Sequence, residues 1–224
     1  MRVAPLLIDS VCAARQLSLK NSDYFIMTGS GHILVWDIGV RLFHWLLVAS
    51  FTTAYFSQTG SYNLHLYAGY SVLGLLAFRL IWGVVGPGHA RFTSFLFKPS
   101  VVLRYLAGMI KLRPQRYLGH NPAGGVMIVL LLLCLLVISL TGIVLDASEN
   151  RAGPLADTSL ILYKGISRNV HVGATNAALV LIAVHLLGVL YSSLVNRENL
   201  LRAMITGRKP PLRDPAPSMR QKDT

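Results

Sequence analysis

Long apolar runs, separated by short polar breaks, fill most of this chain. No Asp, Glu, Lys or Arg occurs between Arg41 and Arg79, between Arg116 and Asp146, or between Arg168 and Arg197. A helix that crosses a bilayer needs ~20 mostly apolar residues, so each stretch can hold at least one. The first stretch is interrupted by Gln58-Thr59-Gly60-Ser61-Tyr62-Asn63, a cluster of turn-forming residues, and so holds two. The pattern predicts four spans, at about residues 36–57, 64–84, 123–145 and 170–195. They are expected to be helices, because a lone segment in lipid must satisfy its own backbone hydrogen bonds.

Outside the spans the pattern weakens. Residues 1–33 read as a disordered extension: Asp9, Arg15, Lys20 and Asp23 leave no apolar core long enough for a secretory signal, and Met27 is a second candidate start. The segment PSVVLRYLAGMIK, from Pro99 to Lys111, predicts a short helix lying in the membrane interface with proline in its first turn. Residues 210–224, rich in proline and charge, read as a disordered tail. The expected organisation is one bundle over residues 34–209.

Composition strengthens this picture. Hydrophobic residues make up 53% of the chain and charged ones 13%, about half the charge of an ordinary soluble domain. The net charge of +12 would suit a nucleic-acid partner, but the placement of the charge argues against one. Its basic residues flank apolar spans instead of forming a stripe with interleaved aromatics. Residues 85–121 carry Arg91, Lys98, Arg104, Lys111, Arg113 and Arg116 without one acid. The tail after Val195 sets seven Lys/Arg against Glu198, Asp214 and Asp223. The opposite loops are uncharged or balanced, residues 146–169 setting Asp146, Glu149 and Asp157 against Arg151, Lys164 and Arg168. The positive-inside rule therefore places both termini and the 85–121 loop in the cytoplasm. Cys12 and Cys134 lie too far apart along this layout to predict a disulfide.

Four of the seven histidines fall in or at the edges of the predicted spans: His44, His65, His171 and His185. Ionisable side chains there are costly and mark function by default. His171 and His185 are fourteen residues apart. Fourteen steps of ~100° end only ~40° short of four turns, so both rings leave one helix face, ~21 Å apart along the axis. His44, near the cytoplasmic start of the first span, is level with His185. His65, at the outer start of the second, is level with His171. Two pairs at two depths suit two stacked metal centres, and haem iron with two axial imidazoles is a centre that bundle cores hold. Zinc is disfavoured, since neither pair has a further Cys, Asp or Glu nearby in the membrane. A lone membrane histidine could simply bond across helices, but four in level pairs argue against that for the set. A proton relay is weakened by the lack of a carboxylate inside any predicted span. His32 and His89 flank the spans and read as interfacial, and His120, in YLGHNPAGG, reads as a residue that caps or orders the third helix.

Two arginines add to the candidate set. Arg79 is the only charge in the body of the second span and stands fourteen residues from His65, on the same face. A guanidinium fork near the cytoplasmic end suits a haem propionate. Arg41, one turn before His44, could do the same, or either could reach out to headgroups. Gly69, Gly74, Gly142 and Gly173 would permit close approach of a backbone or a macrocycle.

These residues resemble a known family. VWDIGVRLFHW, HLYAGYSVLGLLAFRLIWGVVGPGHARF, YLGHNPAGGVMIVLLLLCLLVISLTG and VHLLGVLYSSLVNRENLLRAMITGRK are similar to segments of the bacterial cytochrome b-561 family, which includes the cytochrome b subunits of nickel-iron hydrogenases. The likeness runs from about Leu34 to Lys209. It implies an all-α fold, an integral membrane four-helix bundle with two haem b groups between the helices. His44 and His185 would hold the cytoplasmic haem, and His65 and His171 the periplasmic one. The implied function is electron transfer across the inner membrane between a quinone pool and a redox partner, such as a periplasmic cytochrome c or a dehydrogenase. An anchor subunit of a larger oxidoreductase such as a hydrogenase is the alternative, as is oxidation of superoxide at the outer haem with quinone as acceptor. A haem-free transporter or structural anchor is the alternative of a different class. Membrane lipid surrounds the bundle in any of these readings, a homo-oligomer is possible, and the 146–169 loop is the expected docking element for a partner.

Overall fold

Short polar side chains start the long helices. The structure, a computed structural model, describes residues 33–111, 117 and 119–210. The expected extension up to His32, the tail beyond Pro210, Cys12, Arg113 and Arg116 lie outside the described residues. Asp37 accepts the amide of Val40 (3.2 Å) and opens α1, Ile38–Ser57. Ser61 accepts the amide of Leu64 and opens α2, Tyr62–Val85. The polar break expected from the sequence is thus a turn from Gln58 to Ser61. Pro99 starts α3, Pro99–Ile110, where its missing N–H is no loss. Asn121 accepts the amide of Gly124 (2.7 Å) and, with Pro122 behind it, opens α4, Pro122–Asn150. Helix α5 runs from Lys164 to Val195, and the short α6, Leu200–Thr206, is capped by Asn199.

Three helical runs are long and apolar enough to cross a membrane: Tyr62–Val85, Pro122–Asn150 and Ser159–Val195, the last joining a 3-10 turn to α5. Helix α1 has the length, twenty residues, but carries Arg41, His44 and several hydroxyls and is less apolar than these three. It pairs along α2 as α4 pairs along α5, and contact between α2 and α4 joins the two hairpins. Val72, Leu76 and Leu135 form the buried centre where they meet, flanked by Leu47, Phe51, Leu132, Leu136 and Ile138. The outward faces are apolar too: Leu187 and Leu194 of α5 are 65% and 69% exposed. Such surface is stable against lipid chains and not against water.

The end of the bundle where α1 starts holds a feature that hydropathy did not foretell. β1, Ile33–Leu34, pairs antiparallel with β2, Arg208–Lys209, tying the two ends of the described chain together. Gly207, at φ +78°, makes the turn into β2 and accepts the amides of Val35 (2.8 Å) and Trp36 (3.0 Å). Beneath the ladder Ile33, Val35, Trp36 and Ala203 form a second buried cluster. A buried ion pair, Lys209 to Glu198 at 3.8 Å, closes this cap.

The stretch linking α2 to α3 folds into two 3-10 turns, Gly88–Ala90 and Phe92–Ser94, and drives Phe95 fully inside. A β-carbon at Gly125 would come within 2.2 Å of the Phe95 carbonyl oxygen, so α4 starts flush against this loop only because residue 125 has no side chain. Gly125→Ala should therefore force the loop off the helix, at a cost of ~1–3 kcal/mol as for other overpacked cores. The check is the unfolding midpoint of purified protein in detergent, which falls for Gly125→Ala and stays put for alanine at Gly165, where the space is open.

The outer connection is more ordered than a 24-residue loop would be. Helix α4 continues one turn past the predicted span to Asn150, and Arg151 ends it at φ 53°. A 3-10 turn at Ser159–Tyr163 leads into α5. On this side Glu149 binds both Lys164 (3.7 Å) and Arg168.

Candidate functional site: paired histidines between the helices

His65 and His171 come together. Their ring centroids lie 6.3 Å apart with the planes at 67°. His65, in the first turn of α2, sets its Nδ1 2.8 Å from the carbonyl oxygen of Ala54 on α1. His171, in α5, sets its Nδ1 3.0 Å from the carbonyl oxygen of Ile138 on α4, with Thr141 Oγ1 at 3.2 Å. A nitrogen facing a carbonyl has to be the donor, so each ring carries its proton on Nδ1 and keeps the Nε2 lone pair free. That is the arrangement of metal-binding histidines, whose second nitrogen is commonly held by a backbone carbonyl. Two imidazoles on opposite sides of one metal ion, with bonds of ~2 Å, would have centroids ~6 Å apart, close to what the pair shows.

The rings look into a cavity of about 200 Å3 to which all four long helices contribute, with Phe51 and Tyr55 from α1, His65, Gly69 and Tyr70 from α2, Ile138 and Gly142 from α4, and His171 and Asn176 from α5. A β-carbon at Gly69 would meet nothing within 4 Å, so this glycine faces open space in the cavity wall. At Gly142 a β-carbon would sit 3.2 Å from the His171 ring, so that glycine lets the imidazole lie close on α4. Gly74 and Gly173, two other expected contact glycines, meet no neighbour.

The second pair lies towards the end of the bundle where α1 starts and α5 finishes. His44 of α1 and His185 of α5 are within electrostatic reach of each other. The Nδ1 of His44 is buried and meets no acceptor, leaving its imidazole uncommitted to the protein. The ring of Trp45 stands edge-on to it at 5.2 Å. Among the described residues no three His, Cys, Asp or Glu side chains converge, so the candidate ligands come as pairs.

Arg79 does not reach out to headgroups. It is 3% exposed, donates from Nη1 to the carbonyl of Ala90 (3.0 Å), and its guanidinium lies 4.9 Å over the Phe92 ring. Arg41 donates from Nη2 to the Ile205 carbonyl of α6, while its Nε is buried without a partner. Both cations are therefore held at the end of the bundle where α1 starts, and a carboxylate-bearing cofactor edge could meet them there.

Sequence reasoning missed part of this end. Asn121, not His120, caps α4. His120 is buried between Trp36 (centroids 4.4 Å) and Phe95 (5.0 Å), and its Nδ1 has no partner. Burial, with the nearby Arg79 and Lys209 cations, pushes its pKa down to about 3, so the ring is neutral. His89 is lowered by burial and by Lys209. Asp37 was missed as well: besides capping α1 it accepts Trp82 Nε1 (3.0 Å) and so pins α2 to the start of α1. The run VWDIG carried that signal, an acid directly before an apolar helix.

A membrane bundle whose core offers paired imidazoles with free Nε2 atoms, a cavity walled by four helices and cations near one end is built as a membrane haem protein. Residues 35–207 match the family model of the prokaryotic cytochrome b561, and the chain belongs to that family. It is thus a membrane b-type cytochrome that binds haem b and takes part in electron transfer. No curated protein and no solved structure matches it.

Proposed function

We propose that this cytochrome holds two haem b groups, one at each depth, and passes single electrons across the bacterial inner membrane between a quinone and a redox partner on the periplasmic side. His65 and His171 are the ligands of the outer haem, and His44 and His185 those of the inner one. Arg79, and with it Arg41, faces the inner haem's propionates. In this reading α1 is the fourth span, and both termini lie in the cytoplasm.

The observation that carries the reading is the outer pair, with facing rings 6.3 Å apart and each Nδ1 bonded to a backbone carbonyl. Bound haem supplies a one-electron couple. The chain's own part would be to hold each haem by a pair of imidazoles and to surround it with apolar side chains that exclude water. Val72 and Leu135, from the buried cluster where the hairpins meet, contribute apolar wall to the outer cavity. Superoxide as electron source is less well supported, because Lys164 and Arg168 are engaged by Glu149 and steer an anion weakly.

The test is transmembrane transfer in sealed vesicles. Purified protein is reconstituted around an enclosed, impermeant one-electron acceptor, and a short-chain quinol is added outside. The acceptor becomes reduced only when haem-loaded protein is present, and His44→Ala or His65→Ala lowers the rate to that of empty vesicles. Equal rates with and without the protein contradict the proposal.

A reading as anchor subunit of a larger oxidoreductase is favoured by one observation, the exposed apolar side chains of the outer 3-10 turn, where Leu162 is 82% exposed. Replacing Leu160 and Leu162 by serine should then abolish capture of a periplasmic redox protein while leaving the haem spectrum intact. Unchanged capture excludes this turn as the docking element.

A further inference from the structure

The charge-free spans predicted from the sequence leave no carboxylate inside the bundle, yet the structure buries one. Asp146 falls within α4, which runs on to Asn150, and is 5% exposed. It follows Gly142 and Ile143 by four and three residues, and both of these line the outer cavity. The carboxyl group therefore sits one turn, ~5 Å along the axis, above that cavity on the same helix face. Tyr70, a cavity wall residue, lies within its electrostatic reach.

Its partners are all neutral. Oδ1 accepts the hydroxyl of Tyr62 and the amide of Asn150 (3.1 Å), whereas Oδ2 is buried and accepts nothing. Tyr62 and Tyr70 are the titratable groups facing it from α2, and Asn150 faces it from its own helix. From the loop beyond, Gly153 approaches so closely that a β-carbon there would lie 2.9 Å from Oδ2. No cation pairs with Asp146 among the described residues. Glu149, one turn on, is in contrast bound by Lys164 and Arg168. A buried carboxylate without a counter-ion has no opposite charge to offset its loss of solvation. Tyr62, itself half exposed, links it to the outer surface.

We propose that Asp146, with Tyr62 and Tyr70, is a proton-holding site coupled to the electron occupancy of the outer histidine site. Its carboxylate takes one proton from water at the outer face, forming a carboxylic O–H bond, as an electron from the quinol or the partner arrives next to it. It returns that proton when the electron leaves. The inference rests on the reading that His65 and His171 hold a haem. The sign follows from charge: a proton held here and an electron at the histidine pair stabilise each other, so a coupled outer potential falls as pH rises.

The experiment is a redox titration of purified haem-loaded protein at several pH values, read by visible spectra and by redox infrared difference spectra in the carboxylic C=O region. The outer potential should fall with pH at up to one proton per electron, with a C=O band appearing on reduction. Asp146→Asn should remove both the slope and the band while the inner haem titrates as before. Tyr62→Phe, which deletes one hydrogen bond to the carboxylate and keeps the packing, should retain the slope and move it to higher pH. A pH-independent outer potential, or a slope and band that survive in Asp146→Asn, overturns this proposal and leaves the two-haem reading standing. Absence of a haem at the outer pair overturns both.

Discussion

Replacing His171 by alanine is expected to remove one of the two haems and to leave the other bound. Its ring is one of only two imidazoles facing the outer cavity, and its Nδ1 is spent on Ile138, so no neighbouring side chain can take over the lone pair. His65→Ala should have the same effect. His44→Ala and His185→Ala should each remove the inner haem, whose imidazoles come from α1 and from the far end of α5. The check is haem per chain in the purified variants together with low-temperature spectra. Variants within one pair lose the same spectral component, and variants from different pairs lose different ones. Any other grouping of the four would break the pairing.

The second large effect concerns Arg79. Arg79→Leu removes a buried hydrogen bond from a charged donor and a cation from over the Phe92 ring. Such terms contribute ~1.5–3 and up to ~2 kcal/mol, and since they are not additive we expect a loss of ~3 kcal/mol. The unfolding midpoint in detergent should drop accordingly, and the Ala90–Phe95 loop should become accessible to protease. The inner haem should also become harder to reduce, because a positive charge that favours the added electron is gone. Arg79→Lys keeps the charge without the fork and should recover potential more than stability. An inner haem with unchanged potential in Arg79→Leu would remove the propionate role and leave Arg79 a structural cation.

The sequence carried the helices well where depth in the membrane was the governing variable. Residues Gln58–Ser61 of the polar run became the turn between α1 and α2, Tyr62 and Asn63 already lying in α2, and Pro99 became the first residue of α3. The rings of His65 and His171, on two different helices, lie 6.3 Å apart, whereas the fourteen-residue spacing on one helix relates only His171 to His185. What hydropathy could not carry was anything decided by contact across the fold. The β1–β2 ladder pairs Ile33 with Lys209, which are far apart in the chain and too short a pair of strands to show a periodic signal. His120 looked like a cap, but whether it or Asn121 binds the first amide depends on backbone geometry at one residue. Its burial between Trp36 and Phe95 depends on two other segments. Asp146 was set in a loop because the apolar run ends at Leu145; the helix itself continues, since Ala147, Ser148 and Glu149 do nothing to stop it. The chain thus read as a bilayer profile gave the positions of the paired imidazoles, while the polar groups that would tune them came from tertiary packing.

The central claim is that two haems sit between these helices on two histidine pairs. It is tested most directly by a pyridine haemochrome assay on detergent-purified protein, quantified per chain, with a reduced-minus-oxidised spectrum. The account predicts two low-spin b haems per chain. A single haem would contradict the two-level arrangement, and colourless protein after expression with ample haem would contradict the account as a whole.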